Sequence, residues 1–278
     1  MAKKPPMREV PDDKLADILN KRGFLKNKRN ASKADIKKAT KTYQKHHGLK
    51  QDGIAGPITE RSLFAPRFCG HPDVMPETAE LGKWPQLNIK YGFRNYNAQL
   101  DKATIQAAAR WAFDQWQLVC GIQAAFTENI NEASIAIEFN AIDGPQKVLA
   151  YSELADGTNN QKSQRYDNAE AFVYSATPGQ FEIDLGRVMC HEIGHALGIP
   201  HIENGNLMQP IYSLTIRTPQ AGDIREATSR YGKPTSTGGG GGTGGGTPVP
   251  ASPFRIVIEG AGALNAMEAT GFRVTKLP

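Results

Sequence analysis

His191–His201 reads HEIGHALGIPH and holds three histidines, a glutamate and a glycine at a spacing that suits metal chemistry. His191 and His195 are four apart, which on a helix turns both imidazoles to one face. Glu192 follows the first of them and can reach a metal-bound water without ligating. Gly198 permits the positive φ of a chain leaving the helix, and the turn brings His201 round as a third nitrogen. Three protein nitrogens and one open position describe a catalytic rather than a closed structural zinc site. The bland alternative is a helix with incidental histidines, but the extended spacing is far rarer than HExxH alone. Of the six histidines in the chain, these three are the only ones after His71.

A fourth ligand candidate lies upstream. Cys69 sits in Pro66-Arg67-Phe68-Cys69-Gly70-His71-Pro72-Asp73-Val74. A thiolate held against zinc displaces the water that an active site needs, and zinc lowers the thiol pKa enough to deprotonate it. Gly70 lets the backbone approach closely, Pro72 stiffens it, and Arg67 and Asp73 are placed to pair across the loop.

The elements that must position these groups follow from periodicity. A helix from about Asp184 to Gly198 carries the motif. Before it, Leu87, Ile89, Tyr91 and Phe93 alternate as a strand with one buried face, and Ile135, Ile137 and Phe139 as a second. Val148–Tyr151 and Ala171–Tyr174 are shorter strand candidates. Asp101–Val119 reads as a helix with Ile105, Ala109, Ala112 and Trp116 inward, and Trp111 and Trp116 as core. A last helix, about Ala221–Tyr231, turns Ile224, Ala227 and Tyr231 inward. This pattern suggests an α+β domain. Residues 12–65 read as a small helical unit. Leu15, Ile18 and Leu19 form one stripe ending at Gly23. Ser32 and Asp35 cap the next helix, which carries Ile36, Ala39, Thr40 and Tyr43. Ile58–Phe64 is a short third helix.

Several of these stretches resemble one family. HExxHxxGxxH is the metzincin signature. Asn206-Leu207-Met208-Gln209-Pro210-Ile211-Tyr212 resembles the Met-turn of matrix-metalloproteinase-type enzymes, the matrixins. Pro66–Asp73 resembles their cysteine switch, with Phe68 as an extra residue between arginine and cysteine. Tyr43–Leu63 resembles the peptidoglycan-binding-like repeat that also forms their pro-segment. The resemblance covers roughly residues 12–233. It implies a metzincin catalytic domain, a twisted mixed five-stranded sheet plus helices, preceded by a three-helix pro-domain. It also implies a latent zinc metalloendopeptidase acting on proteins or peptides. His191, His195 and His201 would hold one catalytic zinc, Glu192 would be the catalytic base, and Cys69 the ligand of the latent form. Met208 would form an apolar floor, with Pro210 and Tyr212 in the wall of the pocket for the residue after the scissile bond. Asp143-Gly144-Pro145 with Asp167 and Glu170 matches the family's calcium loop, although solvated acidic loop residues read the same way. Tyr151 and Arg165 stand where histidines of a structural zinc site are usual, so that second zinc is not expected.

The organisation is then residues 1–11 disordered, 12–65 pro-domain, 66–82 switch and activation segment with cleavage expected near 75–83, and 83–233 catalytic domain. Residues 234–252 form a Gly/Thr/Pro linker, and 253–278 a tail in which Phe254, Ile256 and Ile258 alternate. Of the net charge of +5, residues 1–67 hold 17 Lys/Arg against 7 Asp/Glu. Only Phe24, Tyr43 and Phe64 accompany those bases, a pattern that argues against nucleic-acid binding. No stretch reaches the ~20 apolar residues of a membrane span. No apolar run follows the basic N-terminus, so no signal peptide is evident, whereas the resemblance implies an extracellular, monomeric enzyme. Cys120 and Cys190 are either free or paired, with Cys190 expected buried and free beside His191. A rival reading keeps residues 12–65 as a peptidoglycan-binding module anchoring a hydrolase or binding protein to a cell wall.

Overall fold

The structure, a computed structural model, describes residues 10–74 and 81–234. The expectations for most of the N-terminal stretch, for the cleavage region at 75–80, for the linker beyond 234 and for the tail lie outside the described residues. Val10, within the stretch expected to be disordered, is buried against the first helical unit.

That unit has three helices, α1 (Asp12–Lys21), α2 (Lys33–His46) and α3 (Pro57–Leu63). Ser32 and Asp35 cap α2 reciprocally, as their spacing predicts. Leu15 and Leu19 of α1, Ile36, Ala39 and Tyr43 of α2 and Leu63 of α3 share one small core, while Ile18 is half-buried. Arg22, just past α1, is buried and donates to the Tyr43 hydroxyl at 3.0 Å. The backbone N–H of Val74 reaches the Arg22 carbonyl at 3.2 Å, which ties the helices to the switch segment.

The larger part follows as β1 (Arg67–Cys69), β2 (Asn88–Phe93), α4 (Lys102–Gln117), β3 (Gln123–Phe126), β4 (Ile135–Asn140), β5 (Val148–Ser152) and β6 (Lys162–Asp167). A two-residue pair, β7 (Phe172–Val173) and β8 (Ile183–Asp184), leads into α5 (Leu185–Ala196), and α6 (Ala221–Tyr231) ends the fold. The sheet order is β1-β5-β6-β4-β2-β3. β2 to β6 make the five strands expected of the catalytic part, and the sixth, β1, comes from the switch segment. β5 runs antiparallel to β6, and β1 pairs parallel to β5 with Arg67 opposite Val148 and Cys69 opposite Ala150. Without β1, β5 would be an open edge.

Three strands and one strand residue depart from the expectations. β6 reads KSQRYD and carries no apolar alternation, yet Lys162, Gln164, Tyr166 and Asp167 are buried. Their polar groups are satisfied locally: Gln164 donates to Ser152 Oγ at 3.2 Å and Lys162 pairs with Asp156 at 2.7 Å. β3 (QAAF) lies at the far edge, where packing makes few demands on side chains, and β1 is too short to show a period. Leu87, expected to face inward, lies just before β2 and is 44% exposed.

All twelve residues of α5 are buried, so its backbone ends find protein partners rather than water. Asp184 caps the N-terminus by accepting from the Gly186 N–H. At the other end Leu197 is the C-cap and Gly198 adopts φ +79°. The Gly198 N–H reaches the His195 carbonyl at 2.7 Å and the Ile199 N–H reaches that of Gly194 at 3.0 Å, a Schellman closure. The indoles of Trp84 and Trp116 donate to the carbonyls of Ala196 and Cys190, each at 2.8 Å, and the Tyr231 hydroxyl donates to that of Leu197 at 2.8 Å. Trp116 is fully buried, as expected, while Trp111 is half-buried beneath Arg217.

Gly194, inside the motif, is where α5 meets its neighbours most closely. A Cβ there would lie 2.3 Å from Met208 Sδ and 2.8 Å from Trp116 Cζ2. Gly194→Ala is therefore expected to lower unfolding stability by about 1–3 kcal/mol through overpacking. Gly56→Ala, where a Cβ meets nothing within 4 Å, is the control. Denaturant melts of the two variants measure the difference, and equal midpoints would contradict this account of the packing.

Candidate metal centre

Cys69, His191, His195 and His201 are all buried, and one ligand atom from each lies within 4.8 Å of the others. Two turns of logic bring them together. α5 presents His191 and His195 from successive turns, with their Nε2 atoms 3.1 Å apart. The Schellman turn at Gly198 then redirects the chain so that His201 faces them. Cys69 arrives from β1, its Sγ 3.2 Å from the Nε2 atoms of both His195 and His201.

The outer nitrogens decide what the inner ones can do. Each Nδ1 lies on a backbone carbonyl: His191 on Leu207 at 2.8 Å, His195 on Ile199 at 2.8 Å, and His201 on Pro72 at 2.7 Å. A carbonyl only accepts, so each Nδ1 carries the proton and each Nε2 is left a bare lone pair. Three lone pairs facing one another need a cation between them. The 3.1 Å between the Nε2 atoms of His191 and His195 and the 3.2 Å from Cys69 Sγ to those of His195 and His201 approach the edges of ~3.3–3.6 Å set by zinc bonds to nitrogen and sulfur of ~2.0–2.3 Å, with all four atoms within 4.8 Å of one another. Burial supports the same protonation state: it pushes the His191 imidazole down to about 3 and those of His195 and His201 well below their ordinary value. Burial, with Glu192 second, pushes the Cys69 thiol well up; a bound cation reverses that preference. The donor set fits a zinc ion.

Glu192 stands beside the cluster with both carboxylate oxygens buried and unpartnered, and burial raises its pKa well above the usual range. Met208 lies under α5 against Gly194. The turn that carries it is fixed by Asp223 of α6, a fully buried carboxylate that accepts from the N–H groups of Leu207 at 2.7 Å, Met208 at 3.1 Å and Gln220 at 2.7 Å. Asp223 thus sets the carbonyl on which His191 leans. The sequence places it in the closing Gly222-Asp223-Ile224 stretch that shares the family resemblance, as an acid in the first turn of a helix, with no sign of this role.

Pro210 and Tyr212 flank the switch segment. The N–H of Phe68 reaches the Pro210 carbonyl at 3.1 Å, and the N–H of Tyr212 reaches that of Pro66 at 3.0 Å. β1 thus lies between β5 and residues 210–212. Asp73 fixes its far end, accepting from Arg67 and lying 2.9 Å from His47 Nε2 at the close of α2. Burial alone would raise the Asp73 carboxyl, but His47 and Arg67 outweigh it and hold it well below the carboxylate range. The Arg67–Asp73 pair matches the expected brace, and His47 is a member the sequence gave no reason to include.

Asp143, Asp167 and Glu170, the expected calcium ligands, meet around the Asp143–Gln146 turn. Among the described residues they form no second group of converging metal donors. Asp167 accepts from the N–H groups of Asp143, Gly144 and Ala169, and Glu170 from that of Gln146. The Lys147 ammonium lies on the Asp143 carbonyl, and the second carboxylate oxygen of Glu170 is buried without a partner. Tyr151 and Arg165 face each other across β5 and β6. Arg165 pairs with Glu138 at 2.8 Å, and Tyr151 stacks on His71. All three cysteines are free and buried.

Comparison with known proteins places this geometry. Residues 83–232 match the family model described as Matrixin, and residues 13–63 match a putative peptidoglycan binding domain. Among curated relatives, interstitial collagenase A of Mus musculus is 33% identical over 183 residues, which is 61% of this chain and 38% of the relative. Interstitial collagenase of Bos taurus is 31% identical over 65% of this chain and 39% of the relative. Stromelysin-1 of Rattus norvegicus is 28% identical over 84% of this chain and 52% of the relative. The chain thus spans about half or less of the length of these relatives. With more than half of its residues matched by the family's own model, and with the cluster above at its centre, the chain belongs to the matrixins.

Proposed function

We propose that the chain is a zinc-dependent metalloendopeptidase made as a latent precursor. The observation that carries this reading is the set of three unprotonated Nε2 atoms converging beside a buried carboxylate with no partner of its own. In this reading His191, His195 and His201 hold the metal, and Cys69 closes the fourth position. When bound, zinc supplies Lewis acidity to the scissile carbonyl and makes water a nucleophile near neutral pH. Glu192 takes the proton of the attacking water and returns it to the leaving amine. Met208 gives the site an apolar floor, and Pro210 and Tyr212 form the wall for the residue after the scissile bond. Substrate binds extended along β5, in the place β1 holds in the latent form.

Latency in this reading rests on more than the thiol. β1 fills the cleft, the Pro72 carbonyl supports His201, and Asp73 joins Arg67 to the pro-domain through His47. A cell-wall role for residues 12–65 is the second reading, favoured by the match of residues 13–63 to a peptidoglycan binding domain. The ties from Arg22 and His47 to the switch favour the pro-domain role. Retention on purified cell wall of an active enzyme that still carries residues 12–65 would favour the anchor.

Three outcomes test the proposal. Glu192→Ala is expected to keep stoichiometric zinc by elemental analysis while peptide hydrolysis falls by about 10²–10⁴-fold; unchanged turnover sinks the mechanism. Cys69→Ser is expected to raise the activity of the uncleaved precursor, as is treatment of wild type with a thiol-modifying mercurial; a precursor equally latent after both argues against the switch. Asp73→Asn is expected to destabilise the full chain by roughly 3 kcal/mol at pH 7, since it leaves buried partners uncompensated. The Asp73 carboxyl is depressed in the folded state, so its contribution is full above about pH 4 and fades as pH falls toward its lowered value. The gap in melting temperature between wild type and Asp73→Asn should therefore narrow from pH 7 to pH 3. A gap of constant size would show that Asp73 does not act through its charge.

A further inference from the structure

Phe68 belongs to the pro-segment by sequence, yet it is fully buried in the core of the catalytic part. Its ring lies face to face with His191, the centroids 4.4 Å apart and the planes 7° from parallel. Tyr212 lies against the same ring at a tilt of 60°, its centroid at 5.1 Å, and the Arg187 guanidinium lies over the Tyr212 ring at 5.4 Å. The backbone around Phe68 makes strand-like contacts on both sides, to Lys147 through Arg67 and to Pro210 through its own N–H. A side chain held on an extended backbone, next to the metal ligands and inside the wall formed by Tyr212, occupies the place of a substrate side chain.

We infer that Phe68 is an aromatic plug in the pocket for the residue after the scissile bond. Latency then has two parts, the thiol on the metal position and the ring in the pocket. The plug also reports what the pocket accepts. A flat ring fits between an imidazole and a phenol, so the substrates of this enzyme carry phenylalanine or a comparable aromatic residue directly after the cleaved bond. The Arg187 guanidinium donates to the carbonyls of Ser213 and Ala176 and lies 3.8 Å from Asp184, so its charge has partners within the fold. An acidic substrate side chain therefore gains little there. Both halves take the identity of the pocket from the endopeptidase reading above, but whether the Phe68 ring shields Cys69 can be measured without it.

Two measurements on the zinc-loaded full-length protein test it. The first follows alkylation of each cysteine by iodoacetamide, with mass spectrometry resolving the sites. Phe68→Ala is expected to speed labelling of Cys69 about tenfold or more while buried Cys190 stays slow. Phe68→Leu, which keeps the apolar bulk, should stay within a few-fold of wild type at Cys69. A wild-type rate at Cys69 in Phe68→Ala overturns the plug. The second takes the enzyme after mercurial activation and compares peptides that differ only in the residue after the scissile bond. Phenylalanine should give a kcat/KM at least about tenfold above alanine and several-fold above leucine, with aspartate and lysine below alanine. A flat series, or a best substrate with alanine, aspartate or lysine there, overturns the specificity. Cleavage of none of the peptides counts against the endopeptidase reading itself, and the alkylation result then decides the plug alone.

Discussion

Three imidazoles can meet at one point only if none of them brings a proton there. In this chain the requirement is met from outside, by fixing a backbone carbonyl at every Nδ1. The carbonyls come from three different places: the turn before Met208, the loop after α5, and the switch segment. Each must be held to within a few tenths of an ångström for the inner nitrogens to converge. Much of the catalytic part can be understood as the apparatus that fixes these three oxygens.

The first is held by Asp223, whose carboxylate gathers the N–H groups of the turn and accepts burial as the cost of doing so. The second follows from the Schellman closure at Gly198, which presents the Ile199 carbonyl back toward His195. Around them, Trp84, Trp116 and Tyr231 lock the exit of α5 through single hydrogen bonds from rings that are otherwise packed in the core. Gly194 lets Met208 and Trp116 come close enough to do this. The third carbonyl differs in kind, because it belongs to Pro72, in the segment proposed to keep the enzyme latent. His201 is therefore the ligand whose surroundings change most when that segment leaves.

Much of this was legible in the sequence, and the reasons it was not all legible are specific. The spacing of His191, His195, Gly198 and His201 encodes a helix and its exit turn, and the four side chains singled out by spacing and by the Cys69 stretch lie together. Helices with strong periodicity, α2, α4 and α6, begin and end within a few residues of their pattern. β6 was invisible because its buried residues are mostly polar and take partners both from the neighbouring strand and from nearby loops, so no apolar alternation marks it. Asp223 and His47 do their positioning through partners 15 or more residues away, Leu207 and Met208 for the one and Asp73 for the other, although Asp223 also caps its own helix by accepting from Gln220. Phe68 could be seen as an insertion, but whether an inserted residue bulges outward or turns into a pocket is decided by the wall it meets. The acidic residues around Asp143 match the family's metal loop in type and position; backbone N–H groups bond Asp167 and one oxygen of Glu170, and the other Glu170 oxygen is buried without a partner.

The pairing of β1 with β5 has a further consequence. A sheet that ends in an unpaired strand offers a row of free N–H and C=O groups to any extended chain nearby, including copies of itself. With residues 67–69 in place, Val148–Ser152 is an interior strand. In the proposed latent precursor, loss of that segment would uncover this edge in the same event that opens the cleft, and substrate and a second copy of the chain would then compete for one strand.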